Sequence, residues 1–387
     1  MGSDGVREQW SFSAQELKSG IVGVAFSADG SRVMAGDAGI SSVKVWDLGP
    51  TGNAEWANLP APGHPGAEFM PDGRRVVTGS HVNEGAVTIW DLQSAREIQT
   101  IGPPTDYFWF QSFDVSPDGS SIALGGGSDP HDFGGAAAGR AWDSSTGEEL
   151  WRIGHDRAVN EVTFSPDGQY VATVDWAGIA KIVDRAGRVV GVLHGQRGNL
   201  SDVAFSSDGH LVALAEFCAA DQVRVWEWAK SEVILTITAE GPWARVDFDP
   251  TGPRVVLSGA AGVAEIWDVE SGERLTVLAG PPGGVNDLVF SPDGSRIAIA
   301  GVDGLVRLFD ADTGASQLSL RGSGCAVEGV TFSPDGTKLA STSSCDGVRI
   351  WALDLDDLLE IARREAGRAI TDEECRQCLH VVSRPRA

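Results

Sequence analysis

The sequence predicts an all-β chain made of eight copies of one four-stranded unit, followed by a short α-helical tail. Two observations carry this. A turn tetrapeptide recurs eight times, at Ser27–Gly30, Met70–Gly73, Ser116–Gly119, Ser165–Gly168, Ser206–Gly209, Asp249–Gly252, Ser291–Gly294 and Ser333–Gly336, with its glycines 43, 46, 49, 41, 43, 42 and 42 residues apart. Each turn is followed by an alternating strand that ends in Trp-Asp or a relic of it, at Asp47, Asp91, Asp143, Asp184, Glu227, Asp268, Asp310 and Ala352. Self-similarity at a period of about 40 residues marks a repeat architecture.

Each element has a local reason. In Ser-Pro-Asp-Gly, proline presets the backbone at the second turn position, aspartate bonds its own backbone and glycine accepts the left-handed conformation. The turn therefore joins two antiparallel strands. In the fourth unit these read as strand a (159–164), strand b (170–174), strand c (180–184) and strand d (189–194), each with period-two alternation. Six of the 13 tryptophans, Trp46, Trp90, Trp142, Trp226, Trp267 and Trp351, fall at the end of strand c and are expected in the core.

Two motifs in phase across eight copies resemble the WD-repeat β-propeller family over roughly residues 8 to 352. Seven blades are commonest in that family, so a seven-bladed ring is the alternative; the eight a-b-c triads predict eight. The apolar scrap Trp10-Ser11-Phe12 precedes Phe26 by the same fourteen residues that separate Leu150 from Phe164, and the last triad stops at Trp351 without a strand d. The resemblance implies that this N-terminal strand closes the last blade. It also implies a buried tetrad of histidine, serine or threonine, aspartate and tryptophan, here degenerate: His155, Thr173 and Asp175 with Val183 in place of tryptophan, His64 and Thr78 with Trp90, and Ser343 and Asp346 with Trp351. These residues are expected to be structural. The domain organisation is a propeller over 1–352 and a helical tail over 353–387.

The third unit departs from the pattern. Its b-c loop is longer than the others, with the excess in Gly125–Arg140, and it opens on the aromatic run Asp106–Phe113. In such propellers the d-a and b-c loops share the top face, where Tyr107, Phe108, Trp109, His131 and Phe133 would gather, with Arg157, Trp176 and Phe217 on neighbouring blades. Clustered aromatics suit protein contacts, and they equally suit packing of the inserted loop on its own blade. A second set lies one residue before the strand-a aliphatic, where Glu161, Asp202, Asp287 and Arg245 are expected near the mouth of the central channel. They could hold a cation or a basic peptide, or be solvated carboxylates beside one arginine.

Composition sets the outer bounds. The chain has 387 residues, 42% of them hydrophobic, and a formal net charge of -24, so a broad phosphate-neutralising surface is absent and nucleic acid and anionic membranes are poor partners. No apolar run is long enough to span a membrane and the first twenty residues lack a secretory pattern, which points to the cytoplasm. Five cysteines make no disulfide framework; Cys325 and Cys345 fall in loops of the last unit, where a reducing compartment disfavours a bridge. Cys375 and Cys378 form a lone Cys-x-x-Cys, short of a zinc site. The tail, Leu353–Ala369 followed by the capping box Thr371–Glu374, reads as two short helices like the ends of bacterial WD-repeat regions.

No nucleophile with a base, metal cluster or phosphate loop stands out. The expected function is a noncatalytic protein-interaction scaffold or sensor, monomeric, without cofactor or metal, binding partners through its top face. A ligand-binding, hydrolase or lyase propeller with its site at the channel mouth is the alternative.

Overall fold

A computed structural model describes residues 8–12, 21–37, 42–48, 55–60, 66–79, 86–102, 109–127, 137–194, 199–217, 222–238, 245–259, 262–321, 325–343 and 347–353. They form eight four-stranded antiparallel sheets. Numbered by their inner strands a, blades 1 to 8 begin at Ile21–Phe26, Gly66–Phe69, Trp109–Val115, Val159–Phe164, Asn199–Phe205, Val246–Phe248, Val285–Phe290 and Val327–Phe332. The expected eight-bladed all-β ring is what the chain forms, and the seven-bladed alternative is set aside.

The repeated turn works through one serine. In blade 4, Ser165 Oγ donates to Asp167 Oδ1 at 2.6 Å and accepts the Tyr170 N–H at 3.0 Å, while Gly168 N–H closes the turn on Ser165 O. Gly168 sits at φ +65°, where a side chain would be strained. The same bonds recur at Ser27, Ser116, Ser206, Ser291 and Ser333. Blade 6 replaces serine by Asp249, whose carboxylate holds Thr251 and the Arg254 guanidinium.

Alternation along each strand sends apolar side chains to both faces, because a blade is flanked by two others. Eight hydrophobic clusters result, one at each blade-to-blade interface: Val174, Ile182 and Leu193 of blade 4 meet Val203, Val212 and Trp226 of blade 5, for example. The eighth cluster joins Val33, Ala35 and Trp46 of blade 1 to Ala340, Val348 and Ile350 of blade 8, so the ring is closed. The outer strand of blade 8 is Glu8–Phe12, which pairs antiparallel with Gly347–Ala352, Trp10 opposite Ile350 and Phe12 opposite Val348.

Two expectations are corrected. The fold class carried an α-helical C-terminal extension over 353–387; among the described residues there is no α-helix, only strands, turns and the 3-10 turn Trp228–Lys230, and residues 354–387 lie outside them. Cys325, expected to be reduced, is disulfide-bonded, with its partner outside the described residues. Disulfides persist where the surroundings are oxidising.

Candidate functional site

Of the top-face set, Tyr107, Phe108, His131, Phe133 and His64 of the tetrads lie outside the described residues. Trp109 is the first residue of strand a in blade 3, opposite Gly127, instead of belonging to the preceding loop. Phe217 is the last residue of strand b in blade 5, opposite Asn199. Arg157 and Trp176 are half-buried on blade 4, and the Trp176 N–H closes its loop on Ala158 O.

The channel residues are all described, and the ladder explains their positions. Strand a is the inner edge of every sheet, and one row of its N–H groups has no backbone partner within the blade. Val203 and Leu288 N–H bond the Oδ1 of their own neighbours Asp202 and Asp287, and at other blades a side chain from the preceding blade takes that role. Val246 N–H donates to Asp202 Oδ2 at 3.0 Å, Val330 N–H to Asp287 Oδ2 at 2.9 Å and Val162 N–H to Ser112 Oγ at 2.9 Å. Arg245 stands at the same register and its Nε donates to Asn286 O at 3.3 Å. Glu161, also at this register, makes no hydrogen bond or ion pair to another described residue.

A second layer of carboxyls lies two residues further along strand a, on the same side of the strand by its period of two. Val115 N–H donates to Glu68 Oε2 at 3.0 Å, Phe164 N–H to Asp114 Oδ2 at 2.6 Å and Phe290 N–H to Asp247 Oδ2 at 2.9 Å. Sequence reading missed Glu68, Asp114 and Asp247; aligning the residue two places after Glu161 across the units would have found them. The six bonds that strand-a N–H groups make to the preceding blade all run in the same rotational sense, so the channel side chains fasten neighbouring blades as well as lining the bore.

Enclosure by the ring shapes their charge. Burial, then Asp202, pushes the Glu161 carboxyl up to about 8, because the charged form loses water and faces a like charge. Burial likewise raises Asp247 to about 7 and Asp287 to about 6. Asp202 is raised by burial against the pull of Arg245. Glu68 and Asp114 act on each other; burial lifts both, Glu68 well above the carboxylate range with the Asp114 charge adding to it. Arg245 is exposed to the bore; its partial loss of water opposes the charge, but Asp202, Asp287 and Glu161 outweigh that and hold the guanidinium above its ordinary value.

The His155 group is buried and self-contained. Nδ1 lies 3.0 Å from Asp175 Oδ2 and Nε2 lies 2.9 Å from Thr173 Oγ1, while Asp175 Oδ1 also accepts the Ala177 and Ile179 N–H groups. It ties strand d of blade 3 to strand b of blade 4. Where tryptophan is present, its indole reaches strand b directly: Trp90 Nε1 donates to Thr78 at 2.9 Å and Trp351 Nε1 to Ser341 at 3.0 Å. Ser341, two residues before the expected Ser343, thus occupies the tetrad position. Trp46 and Trp142 are buried in the core, and Trp267 bonds Glu265. In blade 5 the partner position is Leu214, and the buried Trp226 N–H has no acceptor among the described residues. Replacing His155 by Ala is expected to cost about 3 kcal/mol, since it strands a buried aspartate; urea unfolding measures it, and a loss below about 0.5 kcal/mol contradicts this role.

Comparison with known proteins agrees with this geometry. The family model "WD domain, G-beta repeat" matches residues 147–184, 187–227, 272–310 and 314–352, so four WD repeats are present. The chain is 26% identical over 267 residues to telomerase protein component 1 of Rattus norvegicus, covering 65% of this chain and 9% of that protein. It is 26% identical over 232 residues to a guanine nucleotide-binding protein subunit beta of Arabidopsis thaliana, covering 55% of this chain and 58% of that one. The chain therefore spans less than two thirds of the length of either relative. Among solved structures, the C-terminal WD40 domain of Sif2 superposes with a TM-score of 0.74 at 16% identity, over 90% of this chain and 98% of that one, a likeness of fold.

Proposed function

We propose that this chain is a noncatalytic scaffold that holds protein partners on its top face, through Trp109, Phe217, Arg157 and Trp176 together with the loop residues Tyr107, Phe108, His131 and Phe133. The observation that supports it most is the ring itself. Eight interface cores make a rigid frame, and the one unit that departs from the repeat does so in its top-face loops, where binding residues concentrate on rigid scaffolds. Both relatives are named as parts of larger assemblies, a telomerase component and a G-protein subunit.

The test is affinity capture from native lysate with wild type beside Trp109→Ala and Phe133→Ala. Both variants are expected to lose more than about 80% of the captured partner, as hot-spot aromatics do. Equal retention by wild type and both variants contradicts the aromatic site.

A further inference from the structure

The channel wall of blades 4 to 8 lines an open pocket of about 400 Å³, within the size range of small-ligand sites. Asp202, Asp247 and Asp287 line it from three blades, with Arg245, Thr163 and Phe205. Glu161 stands near it, outside its lining: the charges that act on it most are Asp202 and Arg245, and its half-buried carboxyl has no hydrogen-bond partner among the described residues. Across the channel the same register carries glycine. In a ring of eight, blades four apart face each other, so Glu161, Asp202 and Arg245 look across at Gly329, Gly23 and Gly66, which share their register. A Cβ at Gly23 would meet nothing within 4 Å.

We propose that this pocket binds a linear alkylammonium group, with Asp202, Asp247 and Asp287 accepting its N–H bonds and Arg245 as a resident cation that competes with it. Three features select that chemistry. The wall carries more carboxyls than cations, so an anionic ligand is repelled. The carboxyls are spread one to a blade, and among the described residues no three His, Cys, Asp or Glu side chains are close enough to hold a metal ion, so the ligand must extend its charge over several acceptors. The two carboxyl layers lie about 7 Å apart along the channel, from two residues of strand rise, which a four-carbon diamine spans; Phe164, Phe205 and Val289 offer its methylenes apolar contact. Loss of water raises the Asp247 and Asp287 carboxyls, and the like charge of Asp202 adds to it, so a bound cation is favoured at this wall. This site does not depend on the top-face reading.

Titration calorimetry of the full chain near neutral pH, with 1,4-diaminobutane, spermidine and a lysine blocked at both ends, tests it. Saturable one-to-one binding is expected, weakened at least tenfold in Asp247→Asn/Asp287→Asn and tightened severalfold in Arg245→Gln. Asparagine keeps one acceptor oxygen for the Phe290 and Val330 N–H groups, while at position 287 the Leu288 N–H that bonds the second carboxylate oxygen loses its acceptor, so the melting curve of the double variant is compared with wild type. Preference for the free amines assigns a small-molecule ligand, and preference for blocked lysine assigns a partner's side chain; either supports the site. No saturable heat with any of the three up to about 10 mM overturns it. So does undiminished affinity in a double variant that melts like wild type, or, should that variant not fold, affinity in Arg245→Gln that is unchanged or weaker.

Discussion

Removing residues 1–14 lowers the melting temperature by on the order of 10 °C and makes the protein prone to aggregate. The strand Glu8–Phe12 is the fourth strand of blade 8, paired with Gly347–Ala352 from Glu8 opposite Trp351 to Phe12 opposite Val348. Without it, the ladder bonds of that pairing are lost. Gly347–Ala352 then becomes the outermost strand, and its backbone edge is bared. The effect extends beyond one blade because blade 8 meets blade 1 in the cluster that closes the ring. Thermal unfolding followed by circular dichroism measures it, and a melting curve identical to that of the intact chain contradicts the closure.

Stability falls as pH rises from 5.5 to 8.5, by on the order of 10 °C in melting temperature. Unfolded carboxyls titrate near 4. In the folded ring Asp287 titrates at about 6, Asp247 at about 7 and Glu161 at about 8. Between those values the folded state binds more protons than the unfolded one, so stability declines with pH through this window and is free of the penalty below about 4. The turn aspartates act the other way: Asp29 is drawn down to about 2 by the Ser27 hydroxyl and Asp143 to about 2 by the Ser145 hydroxyl, and the Arg185 ion pair draws Asp118 lower still. Their contribution is present above about pH 4 and lost below it. The net charge of -24 adds repulsion in the same alkaline direction, but salt screens it, whereas the enclosed channel is screened much less. Glu161→Gln should therefore flatten the alkaline limb at high salt. A flat profile in wild type, or an unchanged slope in the variant, contradicts the account.

The blades were legible because their signals are local. Ser165-Pro166-Asp167-Gly168 contains the whole turn mechanism within itself, and its recurrence counts the blades without any knowledge of how they meet. The channel was half legible. Glu161, Asp202, Arg245 and Asp287 stand out as charges at one aligned position, but their hydrogen bonds go to the next blade, some forty residues away, and no pattern within one unit encodes that. Asp247 and Glu68 lie two residues along from that position, on the same side of strand a by its period of two, where no run of like residues across the units marks them. Ser341, and not the expected Ser343, meets Trp351, because strand b reaches the indole through the residue opposite Arg349 and not through the one opposite Gly347. The bridge at Cys325 was discounted from an assumed compartment, a premise the residues themselves do not contain.

The central claim, a rigid ring that offers its top face to a protein partner, is tested most directly by hydrogen exchange of the chain alone and with the captured partner bound. Protection is expected in peptides covering 103–109, 128–136 and the Trp176 loop, with the bottom-face turns at Gly119, Gly168 and Gly209 unchanged. Protection confined to those bottom turns or to the outer strands would contradict it.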